Sequence, residues 1–308
     1  MNSRHYSKLL DKNKSSADVA VSSDLDEPHC RAYSEHEELA RDFLGVRIDR
    51  VNPDQAFSQL LSWRETRRRG YVTFVNPYTV VSCVRDARMS DAVLNSALAM
   101  PDGIGITIAS RMLGYGQTRR ITGPSFMAHV CDLGRQHGLR HFFYGGREGV
   151  AKTAARRLAQ RFPGMQVAGT CSMISESTTL KKPGRRSPPF RDMTPDENAA
   201  SVKLINAASP DVVWVGLGTG KQEKWMAKHI GEINASALLG VGAAFDFHAG
   251  EVRRAPAPIQ RLGLEWAYRL AREPRRLWRR NLDSFVFLLK VVGQSRRTDP
   301  REAAGEAD

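Results

Sequence analysis

Two short apolar runs, each ending in glycine and each followed by a helical pattern, constrain this 308-residue chain more than any other feature of it. The first, Val212 to Val215 in DVVWVGLGTGKQEKW, ends in Gly216, Gly218 and Gly220, and a helical pattern begins at Gln222. The second, Leu238 to Val241, ends in the same way and delivers Asp246 and His248 just past its carboxyl end. A run of this kind is a buried strand, and the glycines allow the sharp turn from strand into helix. The unit recurs upstream. Tyr71 to Val75 is a strand ended by Asn76-Pro77, and HFFYGGREG (141–149) presents strand, glycine turn and helix, with Ala151 to Arg161 helical. Met165 to Thr170 reads as a further strand, and Pro195 to Ala208 as the helix leading into Asp211. Repeated strand–turn–helix units predict an α/β fold with a Rossmann-like, mostly parallel sheet flanked by helices. In such sheets ligands sit in the crevice at the carboxyl ends of the strands, where backbone N–H groups and helix N-termini hold anionic phosphate.

The remaining segments are read by local signals. Residues 1–41 are polar and aperiodic, a disordered leader. A core is expected over 42–252, opening with one short strand at 44–51 and a helix from Asn52-Pro53-Asp54 to Gly70. Helices are expected around Val80, Val84 and Ala87, then over Ala92 to Leu98, and later from Pro124 to Gln136. Pro101-Asp102-Gly103 marks a turn that leaves Asp102 on a loop between elements. Residues 172–195 form a Ser/Thr/Lys/Pro-rich loop longer than compact domains usually carry. From Pro256 the pattern is helical without strands, giving a basic appendage over 253–295 and a disordered tail over 296–308.

Charge narrows the partners. A formal net charge of +13 points to nucleic acid, an anionic membrane surface or a phosphorylated substrate. Between Val252 and Arg297 twelve Arg or Lys stand against three acids, with Arg269, Arg272 and Arg276 at helical spacing and Trp266, Tyr268, Leu277, Trp278 and Phe285 as apolar material. Guanidiniums suit pyrophosphate because they bind its oxygens bidentately. An arginine-rich amphipathic helix with aromatics equally suits an anionic bilayer, and a solvated basic face is the plainest alternative. No helix-turn-helix, zinc-finger or RRM signature accompanies the charge, so nucleic acid is not the expected partner. The N-terminus lacks the apolar region of a signal peptide, and the most lipophilic stretch, Ser284 to Val292, is interrupted by Lys290. The expected location is the cytoplasm, peripheral at the inner face of the membrane. The four scattered cysteines fit a reducing compartment.

The candidate chemistry lies on loops. Gly145-Gly146-Arg147-Glu148-Gly149 and Gly216-x-Gly218-x-Gly220 sit between strand and helix, where phosphate can accept backbone N–H bonds. Neither has the spacing of a dinucleotide fingerprint or a P-loop, which argues against NAD chemistry and NTP hydrolysis. Asp102, Glu223 and Asp246 are the acid–base candidates, although a lone aspartate is most often a cap, a turn former or a surface charge. His248 is as readily structural as catalytic. No H-E-x-x-H, D-x-D or cysteine quartet is present, so neither metal nor other cofactor is expected.

These pieces occur in an order that resembles the WecG/TagA/CpsF family of bacterial glycosyltransferases: FVNPYTV (74–80), PDGIGI (101–106), RITGPSF (120–126), FFYGGREGV (142–150), SPDVVWVGLGTGKQEKW (209–225), the stretch 240–270, and EPRRLWRRN (273–281). The combination of P-D-G, G-x-G-x-x-x-Q-E and G-x-E-W-x-x-R-L is specific. The resemblance implies a core that binds a UDP-sugar and an appendage that meets an undecaprenyl-diphosphate-linked saccharide at the membrane. It implies Asp102 as general base. Asn76, Thr73, Arg120, Gly145, Gly146, Gly218, Gln222, Glu223 and Asp246 would lie around the donor, and Arg269, Arg272 and Arg276 at the acceptor diphosphate. Gly220 stands where a proline is usual. The expected reaction is single-step inverting transfer in cell-surface polysaccharide synthesis. A non-catalytic basic module holding lipid-linked intermediates or nucleic acid is the rival of another class. Neither the sugars nor the oligomeric state is legible, and a homo-oligomer is compatible with the sequence.

Overall fold

The computed structural model describes residues 40–116, 118–172 and 193–298, without the side chains of Ala257, Arg276 and 296–298. The leader read over 1–41 as far as residue 39, most of the 172–195 loop, the tail from 299 and the side chain of Arg276 lie outside the described residues.

A hairpin comes first, β1 (Arg41–Phe43) and β2 (Val46–Ile48), paired antiparallel. This corrects the single strand expected at 44–51. Leu44 and Gly45 both take positive φ, 57° and 84°, and two such residues make the tight turn whose twist matches a hairpin. Next come α1 (Pro53–Glu65), closed at its start by a reciprocal Asn52–Gln55 capping box, then β3 (Gly70–Val75), α2 (Pro77–Arg85) and α3 (Ala87–Leu94). The helix expected over Ala92–Leu98 stops at Leu94, and Leu98–Pro101 is instead a strand, β4. Four apolar residues are too few for periodicity to separate a strand from a helix end.

The chain continues through α4 (Ile104–Met112), α5 (Gly123–Leu133), a 3-10 turn (Gly134–His137), β5 (Arg140–Gly145), α6 (Val150–Arg161), β6 (Gln166–Cys171) and α7 (Pro195–Ala208). It then forms β7 (Val212–Gly216), α8 (Lys221–His229), β8 (Ala237–Gly240) and α9 (Ala244–His248). Three helices close it: α10 (Ala257–Arg261), α11 (Glu265–Arg272) and α12 (Pro274–Thr298).

Strands β3 to β8 form one sheet in the order β4-β3-β8-β7-β5-β6, and every neighbouring pair is parallel. Parallel strands are buried on both faces, which is why they read as unbroken apolar runs. Side-chain alternation still divides them. Val212, Trp214, Phe143 and Leu239 pack toward α1, α5 and α6, while Val213, Val215, Phe142 and Leu238 pack toward α7 and α8. A third cluster joins Phe43, Val46, Val75, Val80 and Ile106 to Phe287 and Val291 of α12. Burying each of those last two side chains contributes about 1.5–3 kcal/mol. The far half of α12 is therefore core. Its end is stitched to the hairpin, since the Leu44 N–H donates to Gln294 Oε1 at 3.1 Å.

Parallel pairing brings every strand's carboxyl end to one edge. The chain passes from β3 outward to β4, then crosses to the other half of the sheet for β5, so its course switches beside β3 and β8. Such a switch opens a crevice.

Candidate active site

Backbone hydrogen bonds place the first group of residues at this edge. The Asp102 N–H donates to the Val75 carbonyl at 2.8 Å, which sets Asp102 beside Asn76, the residues after two neighbouring strands. The Ile121 N–H donates to the Pro101 carbonyl at 2.8 Å and brings Arg120 alongside. Gly103, at φ 86°, turns the chain from β4 into α4. Gly105 lets α4 lie against α2, because a Cβ there would stand 2.4 Å from Pro77 Cγ. Over this floor α11 and α12 close a cavity of about 260 Å³.

The lining is divided by polarity. Asn76, Asp102, Arg120, Glu265, Arg269 and Arg280 supply the polar part, and Ile108, Trp266, Phe285 and Leu288 the apolar part. The Glu265 carboxylate is paired with Arg254 at 3.4 Å. Arg120, Arg269 and Arg280 thus surround the Asp102 carboxylate alone. Arg120 donates to the Gln260 carbonyl at 2.8 Å. Arg269 lies over the Phe247 ring at 5.2 Å, and its buried Nε has no hydrogen-bond partner among the described residues. Arg280 lies over the Tyr78 ring at 5.1 Å. Burial pushes the Asp102 pKa up to about 6, against the downward pull of Arg280, Arg120 and Arg269, with Glu265 adding a smaller upward push. A carboxyl poised there can take a proton from a hydroxyl near neutral pH.

A second group forms at the ends of β5, β7 and β8. The Gly146 N–H donates to the Gly216 carbonyl at 2.9 Å, joining the two glycine turns. Gln222 and Glu223, 3% and 0% exposed, are turned inward and bind protein. Gln222 Nε2 donates to the Gly240 carbonyl at 2.7 Å and to Glu223 Oε1 at 3.0 Å, and Gln222 Oε1 accepts the Gly242 N–H at 3.0 Å. Glu223 Oε2 accepts the Gly220 N–H at 2.6 Å. The pair was expected at the donor itself. It braces the β7–α8 turn against the β8–α9 turn. Asp246 pairs with Arg147 at 3.2 Å and does not line the cavity.

Other expected site residues are relocated. Thr73 is not at the crevice. It is 0% exposed inside β3, with its hydroxyl 3.1 Å from that of Ser96, because alternation turns it into the sheet's helix-covered face. Asn76 reaches the cavity but also caps α2, accepting the Thr79 N–H at 3.1 Å. His248 Nε2–H donates to the Pro124 carbonyl at 3.0 Å, and burial lowers its pKa, the behaviour of a structural histidine. Of these arginines the two with described side chains part ways, and Arg269 lines the cavity. Arg272 donates to the Tyr268 hydroxyl on the exposed side of α11. The helix breaks at Glu273-Pro274, so residues 269 and 272 belong to α11 and residue 276 to α12. Arg280 was missed. Its signal was present in the stripe Leu277, Arg280, Ser284, Phe287 and Val291, where a cation occupies the inward face of an otherwise core-packed helix.

Comparisons with known proteins show the family. The sequence profile described as "Glycosyl transferase WecG/TagA/CpsF family" matches residues 41–301. An N-acetylglucosaminyldiphosphoundecaprenol N-acetyl-beta-D-mannosaminyltransferase of Bacillus subtilis (strain 168) is 28% identical over 73% of this chain and 80% of its own length. Its namesake in Bacillus spizizenii is 28% identical over 80% and 87%, and that of Staphylococcus aureus (strain MW2) 25% over 83% and 93%. With the profile spanning the sheet, the Asp102 cavity and the closing helices together, this chain belongs to the WecG/TagA/CpsF family of glycosyltransferases.

Proposed function

We propose that this chain moves a sugar of the N-acetylmannosamine type or a related hexose from a UDP-sugar to an undecaprenyl-diphosphate-linked saccharide, with inversion at the anomeric carbon. The observation that carries this reading is Asp102, one carboxylate with a raised pKa in a cavity whose arginines outnumber it and whose Arg269 Nε is unpartnered. In the transfer, Asp102 takes the proton of the acceptor hydroxyl as its oxygen bonds to the anomeric carbon. The bond from that carbon to UDP breaks, and its electron pair leaves on the β-phosphate oxygen. The transition state has oxocarbenium character, as in glycosidases. Arg269 holds the acceptor diphosphate, while Arg120 and the backbone at the β7–α8 turn with the α8 N-terminus serve the donor. The names of the relatives support the acceptor class.

The reaction belongs to the membrane's inner surface. No described helix is long and apolar enough to cross a membrane. Leu262, Trp266, Trp278, Leu282, Phe285 and Leu289 are exposed on α11, α12 and the turn before them, with Arg261, Arg272, Arg275 and Arg279 exposed among them, a composition that suits an anionic interface. Metal independence is part of the proposal.

The test is UDP release from a panel of UDP-sugars, with N-acetylglucosaminyl-diphospho-undecaprenol in detergent, with and without EDTA. Acceptor-dependent release from one donor, unchanged by EDTA, is expected. Loss of release with EDTA would overturn metal independence. No release from any donor by folded protein, together with retained binding of the lipid-linked acceptor, would favour a non-catalytic binding module.

A further inference from the structure

We propose that Arg280 is a positioning residue of the transfer: carried into the cavity on the inward face of α12, it is the fixed cation that holds the Asp102 carboxylate ionised and ready to accept a proton. This rests on the reading of Asp102 as general base and gives that base a partner no sequence motif singled out.

The geometry is specific to this arginine. Leu277, Phe287 and Val291 anchor the inward stripe of α12, at 7%, 0% and 0% exposure, so the position of Arg280 is set by core packing on both sides of it. Its neighbour Arg279 lies over the Trp278 ring on the outer side. The half-buried Arg280 guanidinium lies over the Tyr78 ring, lines the cavity and has no hydrogen bond or ion pair among the described residues. A cation partly withdrawn from water in this way is favoured by a negative charge nearby. Asp102 faces Tyr78 and Asn76 from the β3–α2 corner, Arg120 from the segment before α5, Glu265 and Arg269 from α11, and Arg280 from α12. Glu265 is engaged by Arg254, Arg120 by the Gln260 carbonyl, and Arg269 is stacked on Phe247. Arg280 is the cation whose charge lowers the Asp102 pKa most, and Asp102 in turn is the carboxylate that most raises that of Arg280.

The sign of the consequence follows. The base works as carboxylate, so activity rises with pH through the Asp102 pKa, near 6. Removing the cation makes ionisation harder and moves that acidic limb to higher pH, by roughly one unit or more. A residue that only gripped the acceptor diphosphate would instead lower the rate by the same factor at every pH.

The experiment is the pH profile of kcat/KM for acceptor, on full-length protein, for wild type, Arg280→Lys, Arg280→Gln and Arg280→Met, with thermal unfolding to confirm folding. The expected order of the acidic limb is wild type lowest, Arg280→Lys raised by a few tenths of a unit as the shorter cation withdraws, and the two neutral variants highest. Relative to wild type, the neutral variants lose more at pH 6 than at pH 9. An acidic limb that coincides with wild type in every folded variant overturns the role of Arg280. Asp102→Asn, run alongside, separates the layers: if it keeps turnover, the general-base reading itself fails and the proposal with it.

Discussion

The two clusters at the carboxyl edge of the sheet differ in what their side chains have left to give. Around the β7–α8 and β8–α9 turns, Gln222 spends both ends of its amide on Gly240, Gly242 and Glu223, Glu223 is taken by Gly220, and Asp246 is held by Arg147. The side chains of Gln222, Glu223 and Asp246 there are spent on the protein itself. Around Asp102 the reverse holds. Arg269 Nε and the Arg280 guanidinium have no hydrogen-bond partner among the described residues, and the carboxylate keeps a raised pKa. On the proposed reading, the donor diphosphate would meet fixed backbone. A pocket that must remove a proton needs side chains held short of satisfaction.

Substitutions can break this contrast or sharpen it. The largest effect is expected for Asp102→Asn, which should lower kcat by roughly 100- to 10,000-fold while UDP binding, followed by calorimetry, stays near wild type. Turnover near wild type would remove Asp102 as base. Arg269→Met should lower kcat/KM for the lipid-linked acceptor by roughly 10- to 100-fold, the worth of a charge-assisted hydrogen bond, and leave the donor KM unchanged. A rise in donor KM instead would merge the two clusters into one site.

Gln222→Ala should act through the scaffold. With three buried partners stranded, it should cost about 2–4 kcal/mol in urea unfolding and raise the donor KM several-fold with little change in kcat at saturation. A large loss of kcat with normal stability would return Gln222 to direct contact with the reacting sugar. The smallest effect is expected for Thr73→Val. Ser96 Oγ still donates to the Val93 carbonyl at 2.6 Å, so the variant should lose about 1 kcal/mol and keep activity within about two-fold. A ten-fold loss would place Thr73 back among the donor contacts.

Much of the frame was legible because local chemistry decided it. Val212–Gly216 and Ala237–Gly240 announce themselves as apolar runs closed by glycine, and Asp102 stands out within P-D-G. What was hidden depended on orientation or on distant packing. Strand β3 is buried on both faces, so Thr73 and Phe74 are equally credible from sequence, yet Phe74 packs in the core and the Thr73 hydroxyl lies against that of Ser96. The two-residue turn at Leu44-Gly45 carries leucine at a positive φ and so lacks the usual Asn-Gly signal. Arg279 and Arg280 are adjacent and chemically identical. The phase of α12 relative to Phe287 and Val291 sends one toward solvent and the other to Asp102. Gln222 and Glu223 stand out within their motif, but a motif cannot say whether a polar pair faces a ligand or its own backbone.

The seam between α12 and the first hairpin also sets when this protein can begin to work. Leu44 meets Gln294 across 250 positions, and Phe43 shares a buried cluster with Val291. On the ribosome the sheet and its glycine turns are complete after β8, but the wall bearing Arg269 and Arg280 is still to be translated. Contacts of such long sequence separation form late. A nascent chain therefore acquires the proposed nucleotide-facing surface well before the proposed proton-accepting pocket, and a polypeptide cut short before residue 280 carries the first without the second.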